Sequence, residues 1–211
     1  MEQEPLKTRE KTLLAAMLLS AWAPVVTFVG VLMSGSLTQI GDCVRRTAEF
    51  VALAAAYVSY RRIRTLNFSH GQKEIAEKRV SRLVSVTLGL SGAALLSVGI
   101  PNLLRPSVTP GDVRLGLVVA ILGFVVNMFF LIRYTIFEKR ATDGIIRSQK
   151  RLYMAKAVVD SVVVFSYVMI MSSASARFSS RADGLGMVMV AIYLVIRAFK
   201  GDALKPAVPS G

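Results

Sequence analysis

The stretch SLTQIGDCVRRTAEFVALAAAYVSY, residues 36–60, is apolar over most of its length yet carries Asp42, Arg45, Arg46 and Glu49 within about two helical turns. As a helix it is long enough to cross the roughly 30 Å of a bilayer's hydrocarbon core. A charge inside such a span costs about 2.5–3.5 kcal/mol on insertion scales, so ionisable residues there face the protein interior and take partners. Arg45 and Glu49 stand at i and i+4, on one face of the helix. A second apolar stretch, residues 151–173, repeats the arrangement with Lys156 and Asp160. These four groups are the first candidates for function.

The surrounding sequence sets the fold. The chain has 211 residues, 54% hydrophobic and 18% charged, with a mean hydropathy of +0.54. Apolar runs at about 13–33, 36–60, 80–104, 113–137, 151–173 and 185–199 predict six membrane spans, the last starting nearer Ala182. The expected architecture is an all-α bundle of six transmembrane helices, with residues 1–11 as an N-terminal segment, 12–200 as the membrane domain and 201–211 as a disordered tail. Basic residues collect at the N-terminus (Lys7, Arg9, Lys11), between the second and third runs (Arg61, Arg62, Arg64, Lys73, Lys78, Arg79, Arg82) and between the fourth and fifth (Lys139, Arg140, Arg147, Lys150, Arg151). By the positive-inside rule both termini are expected in the cytoplasm, and the plasma membrane is the expected location.

The same distribution explains the formal net charge of +13. The cations form juxtamembrane loops, not a continuous groove, so membrane lipids are expected partners and nucleic acid is not. The N-terminal segment is of mixed charge and the run after it is too long for a cleavable leader, so the first span is expected to stay. Cys43 is the single cysteine, which excludes an intrachain disulfide. A phosphate-binding glycine loop, a Ser/His/Asp grouping and a His-Glu-x-x-His motif are all lacking, so no cofactor and no enzymatic activity are expected.

Several segments resemble one family in order along the chain. Gly35-Ser36-Leu37-Thr38-Gln39-Ile40-Gly41-Asp42 resembles the start of the second transmembrane helix of cation diffusion facilitators, and Phe68-Ser69-His70-Gly71-Gln72-Lys73-Glu74 resembles that family's motif before the third. Asn127 sits in a Val-Asn pattern similar to the fourth helix; Arg181-Ala182-Asp183 and Ile192-Tyr193-Leu194 are similar to the sixth. The resemblance covers about residues 13–199 and implies a six-helix fold that exports a divalent metal, commonly zinc, in exchange for protons by alternating access. It implies a metal site between helices two and five, with ligand pairs at i and i+4 on each helix.

Carried onto this chain, the ligand positions are Arg45, Glu49, Lys156 and Asp160. The two acids are kept and the other two positions are cations. Arginine stays protonated and offers no lone pair, and two carboxylates favour the charged form of a neighbouring lysine. The empty site is therefore already neutral, and weak metal affinity is expected; the bridges either run within each helix or cross from Arg45 to Asp160 and from Lys156 to Glu49. Three readings stay open: a secondary transporter with a non-standard substrate or coupling, with a small cation or proton as the candidate; a transport-inactive protein held by an internal ion-pair network; and divalent transport through Asp42, Glu49, Asp160 and Gln39. Asp42 either lines an outer vestibule or is satisfied by Arg45 at i+3. Gln39 and Cys43 are auxiliary cavity candidates, and Arg46 lies off the Arg45–Glu49 face.

His70, the single histidine, is a weak loop-site candidate with Glu74 at i+4; the alternative is that His70 caps or positions helix three while Glu74 pairs with Lys78. Helix three carries Ser85, Gly89, Gly92, Ala93 and Ser97, small residues that let another helix approach. By resemblance this suggests a homodimer or heterodimer through helix three, although packing within the chain leaves the same pattern. The family's soluble C-terminal domain is expected to be absent.

Overall fold

The computed structural model describes residues 3–34, 37–66, 68–104, 113–140, 143–172 and 176–200. Within them the chain forms six helices: α1 (Gln3–Ser34), α2 (Leu37–Thr65), α3 (His70–Leu104), α4 (Val113–Arg140), α5 (Gly144–Ser172) and α6 (Ala176–Lys200). Among the described residues there is no strand, so the all-α expectation holds.

Every helix outruns the apolar run that announced it. α6 begins at Ala176, well before the expected start near Ala182, and α3 begins ten residues before 80. Local chemistry lengthens them. Ahead of α3, Ser69 and Gln72 form a reciprocal capping box: Ser69 N donates to Gln72 Oε1 at 3.1 Å and Gln72 N donates to Ser69 Oγ at 3.4 Å. At the head of α5, Asp143 Oδ1 accepts from the amides of Ile145 at 2.9 Å and Ile146 at 3.3 Å. At 35 residues, α3 is roughly 50 Å long, so its first turns stand outside the hydrocarbon. Among the described residues, Lys7–Val29, His70–Pro101 and Ile121–Lys139 are long and apolar enough to cross a membrane. The ionisable residues of the candidate site sit in α2 and α5.

Packing runs α1 on α2, α2 on α3 and α3 on α6, with α4 on α5; α5 also meets α3, α6 and α2. The buried core draws on every helix, from Leu13 and Ala16 in α1 through Leu53, Val84, Tyr134 and Tyr153 to Leu194 in α6. Large apolar side chains such as Trp22 and Phe129 point outward, as a lipid-facing surface requires. Thr87 Oγ1 donates to the Ala48 carbonyl at 3.2 Å and ties α3 to α2. Glu138 receives Lys150 Nζ at 2.7 Å and Arg147 Nε at 3.2 Å, closing the short connection from α4 to α5.

The small residues of α3 serve more than one neighbour. Gly92 faces α6 so closely that an added methyl would lie 2.8 Å from Val195 Cγ2 and 3.0 Å from the Ala191 carbonyl oxygen. Ser85 Oγ instead accepts from Arg151 of α5 at 2.9 Å, and Ala93 and Ser97 are exposed. Since Val195 is β-branched and Ala191 O is backbone, neither neighbour can yield easily. Gly92→Ala should therefore lower stability by about 1–3 kcal/mol, read as a lower melting temperature in detergent, whereas Ala93→Leu on the exposed face should change it little.

Candidate functional site

Glu49 is the thirteenth residue of the 29 in α2, and Lys156 is the thirteenth of the 29 in α5. Both therefore sit about 18 Å from the start of their helix, near the middle of the bundle. Glu49 is 7% exposed and takes two cations, one on each carboxylate oxygen. Arg45 NH1 lies 3.4 Å from Glu49 Oε1, one turn back along α2, while Lys156 Nζ reaches across from α5 to within 3.3 Å of Glu49 Oε2. Arg46, half-buried, adds a third positive charge to the field at Glu49.

Lys156 is thus drawn away from the acid on its own helix. Asp160, expected to share a face with Lys156, has no ion pair within 4 Å among the described residues; its Oδ2 accepts a 2.6 Å hydrogen bond from Asn127 Nδ2 of α4. The shift has a geometric cause. Where α2 packs against α5, the Glu49 carboxylate stands opposite the Lys156 ammonium, and a hydrogen-bonded contact across the helices satisfies a buried charge better than a loose contact along one helix. Arg45 and Lys156 still contribute attraction at Asp160. A methyl added at Gly123, one turn before Asn127, would lie 3.8 Å from Asp160 Oδ2, so α4 presents a bare backbone beside that carboxylate.

On one side an aromatic wall closes the site. Lys156 Nζ lies 5.1 Å from the centre of the Tyr153 ring, a cation–π distance. Tyr153, one turn earlier on α5, packs on Phe130 at 5.2 Å and Tyr134 at 5.4 Å, and all three are almost fully buried. This wall lies toward the end of the bundle where α5 begins. Sequence reasoning missed it, and it missed the role of Asn127. The spacing Gln149, Tyr153, Lys156, Asp160, a stripe along α5 at steps of three and four, was the available signal.

The other candidates fall elsewhere. Cys43 is a free thiol of intermediate exposure on α2. Gln39 and Asp42 are on α2, but their side chains lie outside the described residues. His70 is the first residue of α3, whose N-terminal cap is Ser69, not His70. Glu74 pairs with Lys78 at 2.6 Å, and that hydrogen bond holds its carboxyl below the usual glutamate range. Among the described residues, no group of three or more His, Cys, Asp and Glu side chains is placed to hold a metal ion. The donor chemistry explains this at the centre, where two carboxylates face a guanidinium with no lone pair and an ammonium.

Comparison with known proteins bears on the whole bundle. The model of the cation efflux transmembrane domain matches residues 13–201, nearly the entire chain. Among curated proteins none matches it.

Proposed function

The chain belongs to the cation efflux family, and from that premise we propose that it is a secondary transporter working by alternating access, in which Arg45 and Lys156 supply the positive charge that a bound metal supplies in a cation diffusion facilitator. The family's members are transporters, and the chain is an integral membrane protein. The observation that carries the reading is the crossed contact of Lys156 Nζ with Glu49 Oε2 at 3.3 Å, beside an Asp160 held by Asn127. Glu49 is committed to two cations. Asp160 is committed to an amide, which can hydrogen-bond either protonation state of a carboxyl, and so it is the group suited to take and release a proton or a small monovalent cation. A divalent metal would add two charges beside two fixed ones and meets the strongest opposition.

The remaining features follow from this assignment. Both termini face the cytoplasm of a plasma membrane, by the distribution of Lys and Arg. The protein is no enzyme. Dimerisation through helix three would use the exposed face of Val86, Leu90, Ala93 and Ser97, since Gly92 is taken by α6.

A second reading rests on the same closure of Glu49 between two cations: an inert clasp that fixes α2 to α5 in a protein without transport. Reconstitution into liposomes under a pH gradient separates the two. Flux of protons, sodium or guanidinium-like cations that depends on Asp160, with no flux of zinc, manganese or cobalt, supports the transporter. Absence of any flux that depends on Glu49 or Asp160 leaves the clasp.

A further inference from the structure

The first turns of α1 carry three cations, and the fold sends them in different directions. Arg9, 6% exposed, turns inward with its guanidinium 5.9 Å from the centre of the Phe137 ring. Arg133 of α4 meets the same ring at 5.4 Å and donates to Thr12 Oγ1 at 3.5 Å. The Nε of each is buried without an acceptor, and among the described residues neither guanidinium has a carboxylate within 4 Å. This corner of the bundle therefore keeps positive charge behind its surface that no described carboxylate contacts.

Lys7 and Lys11 turn outward. With Glu10 and Leu14 of α1 and Arg64 of α2 they line a cleft of about 220 Å³. Glu10 opposes an anion there, but it is bridged by Arg64, so one of the three cleft cations cancels the single acid. Both lysines are exposed, and among the described residues neither has a carboxylate partner. Lys7, Lys11, Leu14, Leu18, Trp22 and Val25 follow at steps of three and four and so share one face of α1. Beyond the cleft that face is apolar and open, with Leu18 56%, Trp22 73% and Val25 55% exposed. A net positive cleft lies where the apolar run begins, and an exposed apolar stripe continues from it along α1.

We infer that this cleft binds the phosphodiester headgroup of an anionic phospholipid, with an acyl chain lying along Leu18, Trp22 and Val25. The charge complements a phosphate, and the exposed apolar stripe complements a chain that a soluble phosphate does not have. Lys7 and Lys11 are the recognising groups, worth about fivefold each in affinity and so roughly 30-fold together. The site is independent of transport and stands whether or not the central ion pairs move a substrate.

Trp22 is the one tryptophan of the chain and reports on the proposed chain position, eight residues or about 12 Å beyond Leu14. The test places the full-length protein in phosphatidylcholine nanodiscs doped with phosphatidylglycerol whose acyl chains are brominated, and follows quenching of Trp22. Brominated phosphatidylglycerol is expected to reach half-maximal quenching at a mole fraction roughly 30-fold lower than brominated phosphatidylcholine. That preference should vanish in the Lys7→Ala/Lys11→Ala variant and persist in Arg79→Ala/Arg82→Ala, which removes two exposed cations of α3. Equal preference in the Lys7/Lys11 variant, or equal loss in the Arg79/Arg82 variant, would overturn the site in favour of diffuse charge. Loss of the preference on adding inorganic phosphate or glycerol phosphate would reassign the cleft to a soluble anion.

Discussion

Glu49→Gln should be the most damaging single substitution in the bundle, lowering stability by about 3–5 kcal/mol, because it leaves a buried guanidinium and a buried ammonium facing a neutral amide. The loss is read as a fall in melting temperature in detergent. Arg45 NH1 and Lys156 Nζ each contact one oxygen of this carboxylate, so its loss takes a contact from both cations at once. The double variant Glu49→Gln/Lys156→Met removes the facing ammonium together with the acid. It should cost roughly 1–3 kcal/mol less than the sum of the two single variants, the coupling expected of side chains in direct contact. A decline in the double variant equal to the sum of the two single variants would mean that the crossed ion pair contributes nothing.

Asp160→Asn should separate stability from transport. Asp160 is held by Asn127 Nδ2 at 2.6 Å and by no cation within 4 Å among the described residues, and an asparagine carbonyl can accept the same hydrogen bond. The melting temperature should therefore fall much less than in Glu49→Gln, by the equivalent of about 1 kcal/mol. Flux driven by a pH gradient should fall by at least about 100-fold, since the amide cannot carry a proton between the two sides. Asn127→Leu should reverse the balance. It would leave a half-buried carboxylate without its hydrogen-bond donor, lower stability by about 1–3 kcal/mol and leave the titrating group in place.

The fold was legible because six apolar runs with cationic flanks are a strong signal, and the Arg45–Glu49 pair was legible because both residues belong to one helix. The choice of partner for Lys156 was not. It depends on how α2 is placed against α5, and the i, i+4 rule that pointed to Asp160 is blind to contacts between helices. Asn127 was visible as a motif residue without a partner, for the same reason. Helix ends were underestimated because hydropathy marks where the hydrocarbon stops, while Asp143 and the Ser69–Gln72 box decide where the helices start. The small residues of α3 looked like one stripe, yet two neighbours and an open face divide them, with Gly92 against α6, Ser85 bonded to α5, and Ala93 and Ser97 facing outward.

Whether tethered cations stand in the place of a transported metal is decided by titrating the purified protein with zinc and following its melting temperature. The wild-type protein should show no saturable stabilisation by zinc, and Asp160→Asn should respond identically, because the central carboxylates already face Arg45 and Lys156. Saturable zinc stabilisation in the wild type that disappears in Asp160→Asn would contradict this and return the site to divalent metal.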